Sequence, residues 1–470
     1  MSNQKFIVMS HEWRRMQRDK AVLILFILFA GIAAYASWNG RQWVASRALA
    51  LESIQNMQES DHAATMARLK SATDRNPEME ISPASVALGW NRPILPLTAL
   101  SQLAVGQADG YAFDARFHAM TPKHAIFDAT GSNLANPEIR AAGVFDLATV
   151  VVFLLPLFLI AATCDTWALE KESGTDALLL SAPVNPQTLL AAKAAAKGGF
   201  LLLASVLLMG LLVIDAGIGR IAAAMIVTAL YGVFWLVISA LISWLAQSVG
   251  QAALTLIGTW VIIVVVMPAT LSATLDAVAP MPSRALYMQE LRELQQEWEK
   301  QEAPASVGQA SAADRLRASL DGARKRDAFF DDSVEGYFSL QTHSRFFRSL
   351  ARTVSPPILV ETLLEKLAGS DSARALMFRQ QVLAYFEQVQ GHIDNNAEPL
   401  PDLTLAEAES LRPQFRFDEP SWFDGRFLID LLLLSVWCVT AWLLASFLTS
   451  TRKDSPTEDV EWEISNARSH

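Results

Sequence analysis

A chain of 470 residues in which 52% are apolar and 18% charged is richer in apolar groups than a soluble domain, where such residues make about 45–50% even with glycine counted. Residence in a membrane is therefore the first expectation. The formal net charge of -10 argues against nucleic acid as a partner, since phosphate binding needs a basic surface, and both cysteines, Cys164 and Cys438, lie in or beside apolar runs, which excludes disulfides from the long polar segments.

Within residues 1–20, Phe6, Met9, Trp13 and Met16 recur at helical spacing on one face, and Arg14, Arg15, Arg18 and Lys20 crowd the end next to the first apolar run. That pattern predicts an amphipathic helix lying in the membrane interface. Residues 21–38 are long enough for a first span, and the basic flank before it places the N-terminus in the cytoplasm. The run is too long for the apolar part of a signal peptide. Residues 39–142 are polar and expected outside. They begin as a helix rising from the membrane, with Ala50, Ile54 and Met57 in helical register, and then change to a period of two: Phe113, Ala115, Phe117 and Ala119 alternate with Asp114, Arg116 and His118. Alternation of this kind predicts a strand, so this first insert reads as mixed α/β. His118 and His124, with Asp114 and Asp128 nearby, are six residues apart, which matches no familiar metal-ligand spacing.

Further apolar runs predict spans at 143–163, 198–215, 220–244, 252–275 and 426–448, with Pro268 kinking the fifth. Between the fifth and sixth lies a second insert, 276–424, with helical patterning. Tyr287, Leu291, Leu294 and Trp298 form one stripe; Leu359, Leu363 and Leu367 form another, ended by Gly369; Ser370 or Asp371 can cap the next helix, on which Phe378, Val382, Phe386 and Val389 align. Six spans return the chain to the cytoplasm, where the tail, 449–470, carries Arg452 and Lys453 and is acidic from Asp454 on. The fold expected is an all-α membrane domain of six helices with two extracytoplasmic inserts, the second mostly α. The spans hold almost no ionisable residue between their ends, which disfavours proton relays or ion paths. Tyr231 and Trp235 in the fourth span read as helix packing or an interface belt, not as ligand contacts.

Between the second and third spans, residues 164–197 form a charged, helix-prone stretch, CDTWALEKESGTDALLLSAPVNPQTLLAAKAAAK. The string E-x-E-x-G-T followed by L-L-L-S-x-P-V resembles the cytoplasmic coupling segment in permease subunits of type-2 ATP-binding-cassette (ABC) transporters. The fragments NRPILPLTALSQLAVGQADGYAF, GVFDLATVVVFLLPL and SPPILVETLLEKLAGSDSARALMFRQQVLAYFEQ are similar to a subfamily of these permeases with two large periplasmic inserts of uncharacterised function. The resemblance implies that Glu170, Glu172, Gly174 and Thr175 serve ATPase coupling, that a cytoplasmic ABC ATPase is a partner, and that a second permease copy or paralogue completes a dimer in a bacterial inner membrane. The chain has no G-x-x-x-x-G-K-[ST] string to cradle phosphates, so ATP and Mg would be bound by the partner, and no catalytic constellation marks an enzyme. Export of an unknown substrate is the expectation. The alternatives are a mechanotransmitter acting on a periplasmic protein and a membrane-anchored receptor or enzyme without an ATPase.

Overall fold

The computed structural model describes residues 20–76, 80–106, 108–127, 144–181, 186–215, 217–301, 311–401 and 403–451. The amphipathic stretch 1–19 and most of the acidic tail lie outside the described residues.

Among the described residues, six helices are long and apolar enough to cross a membrane: α1 (Lys20–Arg75), α2 (Leu147–Glu172), α4 (Gln187–Leu212), α5 (Ile218–Leu245), α6 (Val249–Val278) and α11 (Gly425–Ser450). A short helix, α3 (Asp176–Ser181), sits between α2 and α4. The bundle is built around α2 and α5, 67% and 50% of whose apolar windows are buried against 17% for α6 and α11, so those last two stand at its periphery. Tyr231 and Trp235 of α5 are wholly buried in this core, and the Tyr231 hydroxyl donates to the carbonyl of Val152 at 3.1 Å. Both rings are packing groups.

α1 is 56 residues long, about 84 Å at a rise of ~1.5 Å per residue, which far exceeds the ~30 Å of a hydrocarbon core. Its second half must stand outside. Nothing stops it before Asn76, which precedes Pro77 and is therefore pushed out of the helical region.

The strand expected at 113–119 does not form. Among the described residues there are only isolated bridges, including Asn91 to Phe117 and Ile94 to Asp114. The two segments do run antiparallel: Asn91 and Phe117 exchange both backbone hydrogen bonds (2.7 and 3.0 Å), Ala115 N–H donates to Pro93 O (2.9 Å), and Leu95 N–H to Phe113 O (2.7 Å). Pro93 cannot return a donor to Ala115, and Pro96 ends the run, so the ladder lacks the N–H groups that would make it a sheet. The mixed α/β character read for this insert is corrected to helix and irregular loop.

The two inserts share one core. Ala84, Ala115, Phe117 and Ile126 from the first pack against Phe378, Val382, Phe386, Val389 and Ile393 of α10 (Ser372–Asn395). Tyr385 Oη donates to Asn91 Oδ1 at 2.9 Å, and Arg412 Nη2 donates to the same oxygen at 3.0 Å. Beside this unit α7 (Arg284–Gln301) pairs with the 43-residue α8 (Ala312–Val354) through Tyr287, Leu291 and Phe330, with Tyr287 stacked on Tyr337 at 4.1 Å. The stripe on α9 (Pro356–Ala368) goes elsewhere: Leu359, Leu363 and Leu367 are buried in the core of the spans. Gly369, at φ 71°, closes α9, and Asp371 caps α10 by accepting from Arg374 N–H.

Candidate coupling site

The polar segment between α2 and α4 joins a helix that turns. α2 breaks its regular course at Cys164 and resumes as Asp165–Glu172. Ser243 of α5 holds the turn: its Oγ accepts from Trp167 N–H (2.9 Å) and Ala168 N–H (3.1 Å) and donates to Cys164 O (2.9 Å). One buried hydroxyl thus serves three backbone groups, as a buried break requires. Thr163 and Ser239 hydroxyls bond at 2.7 Å just before it, and the Trp167 and Trp244 rings pack 4.6 Å apart just after it.

Past the turn, charge ties the helix to three spans. Lys193 Nζ of α4 meets Glu170 Oε1 at 2.5 Å, with side-chain exposures of 8% and 17%. Lys197, one turn further along α4, reaches both oxygens of Asp165 at 2.9 and 3.0 Å. Lys171 Nζ donates to the carbonyls of Trp244 and, at 3.0 Å, Ala246, at the C-terminus of α5. A cation there satisfies carbonyls the helix leaves open and complements its dipole. Glu172 Oε2 accepts from the N–H of Val249, the first residue of α6, at 2.9 Å, which places an anion at a helix N-terminus.

Gly174 and Thr175 have a local cause. With Ser173 as the terminal residue, Gly174 N–H donates to Lys171 O (3.0 Å) and Thr175 N–H to Glu170 O (2.9 Å), while Gly174 takes φ 72°. This pair of bonds is the Schellman ending, and its left-handed residue favours glycine. Thr175 Oγ1 then donates to Glu170 Oε2 at 2.5 Å. The four residues predicted for this site therefore come together, and their side chains and backbone bind this chain's own helices. The outward surface is α3, where Leu178 and Leu180 are 74% and 45% exposed.

Sequence reasoning passed over Asp165, Lys171, Lys193, Lys197 and Ser243. A signal existed for two of them: Lys193 and Lys197 are the only charges in LAAKAAAK, spaced to share one helical face. Ser243 carried none, because a serine on an apolar helix looks the same whether or not a broken helix lies beside it. The two histidines weighed as metal ligands sit in aromatic contacts, His118 on Trp90 at 4.5 Å and His124 on Phe330 at 4.8 Å. Asp128 lies outside the described residues, among which no group of three or more metal-ligating side chains occurs.

No curated protein sequence matches the chain. A family model described as "ABC-2 family transporter protein" matches residues 6–366, a stretch that contains the first five spans, the polar segment 164–197 and the helices up to α9. With six membrane-length helices and a polar segment braced against three of them, the chain belongs to the ABC-2 transporter family, as a multi-pass membrane permease component of an ABC transporter.

Proposed function

We propose that this chain couples ATP hydrolysis in a separate cytoplasmic ABC ATPase to export of a substrate across a bacterial inner membrane, with both termini and the 164–197 segment in the cytoplasm and the inserts in the periplasm. The observation that carries this reading is the bracing just described. An exposed apolar helix, α3, is joined through Gly174 to a helix fastened to α4, α5 and α6. A displacement applied at Leu178 and Leu180 is then delivered to three spans together. Glu170, Glu172, Gly174 and Thr175 act in coupling by holding that helix stiff, and the side chains that enter the ATPase groove are Leu178 and Leu180. A second copy or a paralogue of this chain supplies the other half of the transporter.

The test is co-expression with a candidate ATPase, purification on one tag, and ATPase assay in nanodiscs. A stable complex whose hydrolysis falls at least several-fold with Leu178→Asp, without loss of this chain from the membrane, supports the reading. Full coupled ATPase in the Leu178→Asp, Leu180→Asp double variant refutes the contact, and recovery of the chain alone refutes the assignment.

A second reading is favoured by the shared core of the inserts and by the links from their helices to the outer ends of the spans. Arg348 of α8 pairs with Asp276 of α6, and Lys366 of α9 with Asp424 at the start of α11 (2.5 Å). Movement of the spans would then act on a periplasmic protein held by the inserts. ATPase stimulated by a periplasmic protein, and not by any solute screened, would select this reading.

A further inference from the structure

The second half of α1 lies against the end of the second insert, and one imidazole joins the two. We infer that His62 is a pH-responsive latch: its neutral ring holds Arg412 to α1, and protonation releases Arg412 while keeping Glu409. The inference rests on these contacts and is independent of the coupling reading. It needs only that the inserts face water.

The hydrogen bonds fix the tautomer. Arg412 Nη1 lies 2.8 Å from His62 Nδ1, and His62 Nε2 lies 2.7 Å from Glu409 Oε1. A guanidinium has donors only and stays protonated, so Nδ1 is the acceptor, and the ring proton sits on Nε2 and is donated to Glu409. The ring is therefore neutral in this arrangement. A second proton can enter only at Nδ1, where the new N–H would point at an N–H of Arg412 and set two cations 2.8 Å apart. The imidazolium keeps its bond to Glu409, an opposite charge, and Arg412 has to leave.

The groups around the ring leave this proton as the one that matters near neutral pH. On α1, the neighbouring Asp61 is paired with Arg92 of the first insert at 3.0 Å. The second insert contributes Glu409 and Arg412. The short helix Ala84–Ala87, which packs on both α1 and Leu405–Ser410, has no titratable side chain. Behind Arg412, the Tyr385 hydroxyl of α10 shares Asn91 Oδ1 with Arg412 Nη2, and burial pushes that phenol above its ordinary range. The His62 side chain is 24% exposed, so protons reach it without the fold opening, and imidazole is the side chain whose charge ordinarily changes between about pH 5 and 8.

What the latch holds is the path into the last span. Residues 411–424 lead from the insert to the start of α11. Further along this path, Gln381 of α10 exchanges hydrogen bonds with the Asp418 backbone (2.8 and 2.9 Å), and Arg374 pairs with Glu419 at 2.7 Å. Release of Arg412 therefore loosens the stretch before Asp418 and leaves the rest pinned. Asn91, 2% exposed, keeps Tyr385 as a donor, so no buried acceptor is stranded by the release. Because α1 runs unbroken out of the first span, the neutral latch ties that span's extension to the chain entering the sixth. Acid in the compartment the inserts face loosens the tie.

Amide hydrogen exchange of the full chain in lipid nanodiscs tests the latch, read as protection factors so that the pH dependence of the chemical rate is removed. In the parent, protection of amides 405–414 is expected to fall at least fivefold between pH 8 and pH 5.5, relative to amides of α7. His62→Gln, whose amide can accept and donate but does not titrate, should hold its protection within twofold over the same range. His62→Lys, cationic throughout, should be poorly protected at both pH values. A parent that changes less than twofold, an equal fall in His62→Gln, or full protection of His62→Lys at pH 8 would each overturn the latch. If His62→Gln fails to fold, nitrogen NMR of selectively labelled histidine in the parent decides: the resonances lost in His62→Lys should show an unprotonated Nδ1 at pH 8, and a proton on Nδ1 there would overturn the inference.

Discussion

Cutting the tie between Glu170 and Lys193 tests the bracing directly. The Lys193 side chain is 8% exposed and that of Glu170 17%, so removing one partner leaves the other charge largely desolvated. Breaking a buried pair in this way costs about 3–5 kcal/mol. The lower figure applies here, because Glu170 also accepts from Thr175 and keeps some contact with water. Replacing both partners removes the stranded charge, so the double variant should recover part of the loss. Interaction energies of about 0.5–3 kcal/mol are usual for residues in direct contact. The variants are Glu170→Gln, Lys193→Met and the two combined, and the assay is thermal unfolding in nanodiscs. A chain of this size and kind need not unfold in one step, so the cycle is read in degrees at the first transition. Each single variant should lower that midpoint by several degrees, and the double variant should lie no lower than the worse single one. Strictly additive shifts, or singles indistinguishable from the parent, would refute the claim that this pair holds the helix to α4.

Three further outcomes follow from the same geometry. Gly174→Ala introduces a side chain at φ 72° into open space, so it should cost about 1–2 kcal/mol of backbone strain at the end of Asp165–Glu172, and Gly174→Asn less; amide hydrogen exchange at 170–176 reads the difference. Ser243→Ala strands the Trp167 and Ala168 N–H groups and the Cys164 carbonyl, an expected loss of about 1–3 kcal/mol that should also speed thiol labelling at half-buried Cys164, whereas Ser205→Ala, which removes only a bond within one helix turn, should not. In the first insert, burial pushes the Asp114 carboxyl up to about 6, against the opposing pull of Arg47 and Arg92. A carboxyl raised in the folded state makes the fold less stable as pH rises from its ordinary 3.8 to about 6, by up to about 3 kcal/mol. Asp114→Asn should therefore protect amides 91–117 from exchange at pH 7 more than the parent and lose that advantage below pH 4.

The spans were legible because a long apolar run has one physical outcome in lipid, a helix that satisfies its own backbone. The stop at Gly369 and the cap at Asp371 were legible for the same local reason. The strand at 113–119 was misread because alternation reports only that one face is buried. Whether a ladder forms depends on the partner segment, and Pro93 and Pro96 lie in that partner twenty residues upstream. The stripe of Leu359, Leu363 and Leu367 shows the same limit in reverse. Its period gives a helix with one buried face, and nothing in the period says that the face closes on the spans and not on the insert core.

The coupling string illustrates how motif and mechanism part company. Its acidic residues look like a surface prepared for another protein. Each instead answers a requirement inside the chain: Glu170 neutralises a lysine that α4 would otherwise bury, Glu172 caps α6, and Gly174 with Thr175 closes the helix on its own carbonyls. In the proposed coupling role these residues would act by keeping the segment stiff, because a lever that bends transmits nothing. α6 extends the same logic across the bundle. Its first N–H is held by Glu172, and near its far end Asp276 is paired with Arg348 on α8. Between them runs one helix of 30 residues, about 45 Å long and little buried by its neighbours. A peripheral rod fastened at both ends is the element through which a shift of the Asp165–Glu172 helix would reach the inserts with the least repacking of the core.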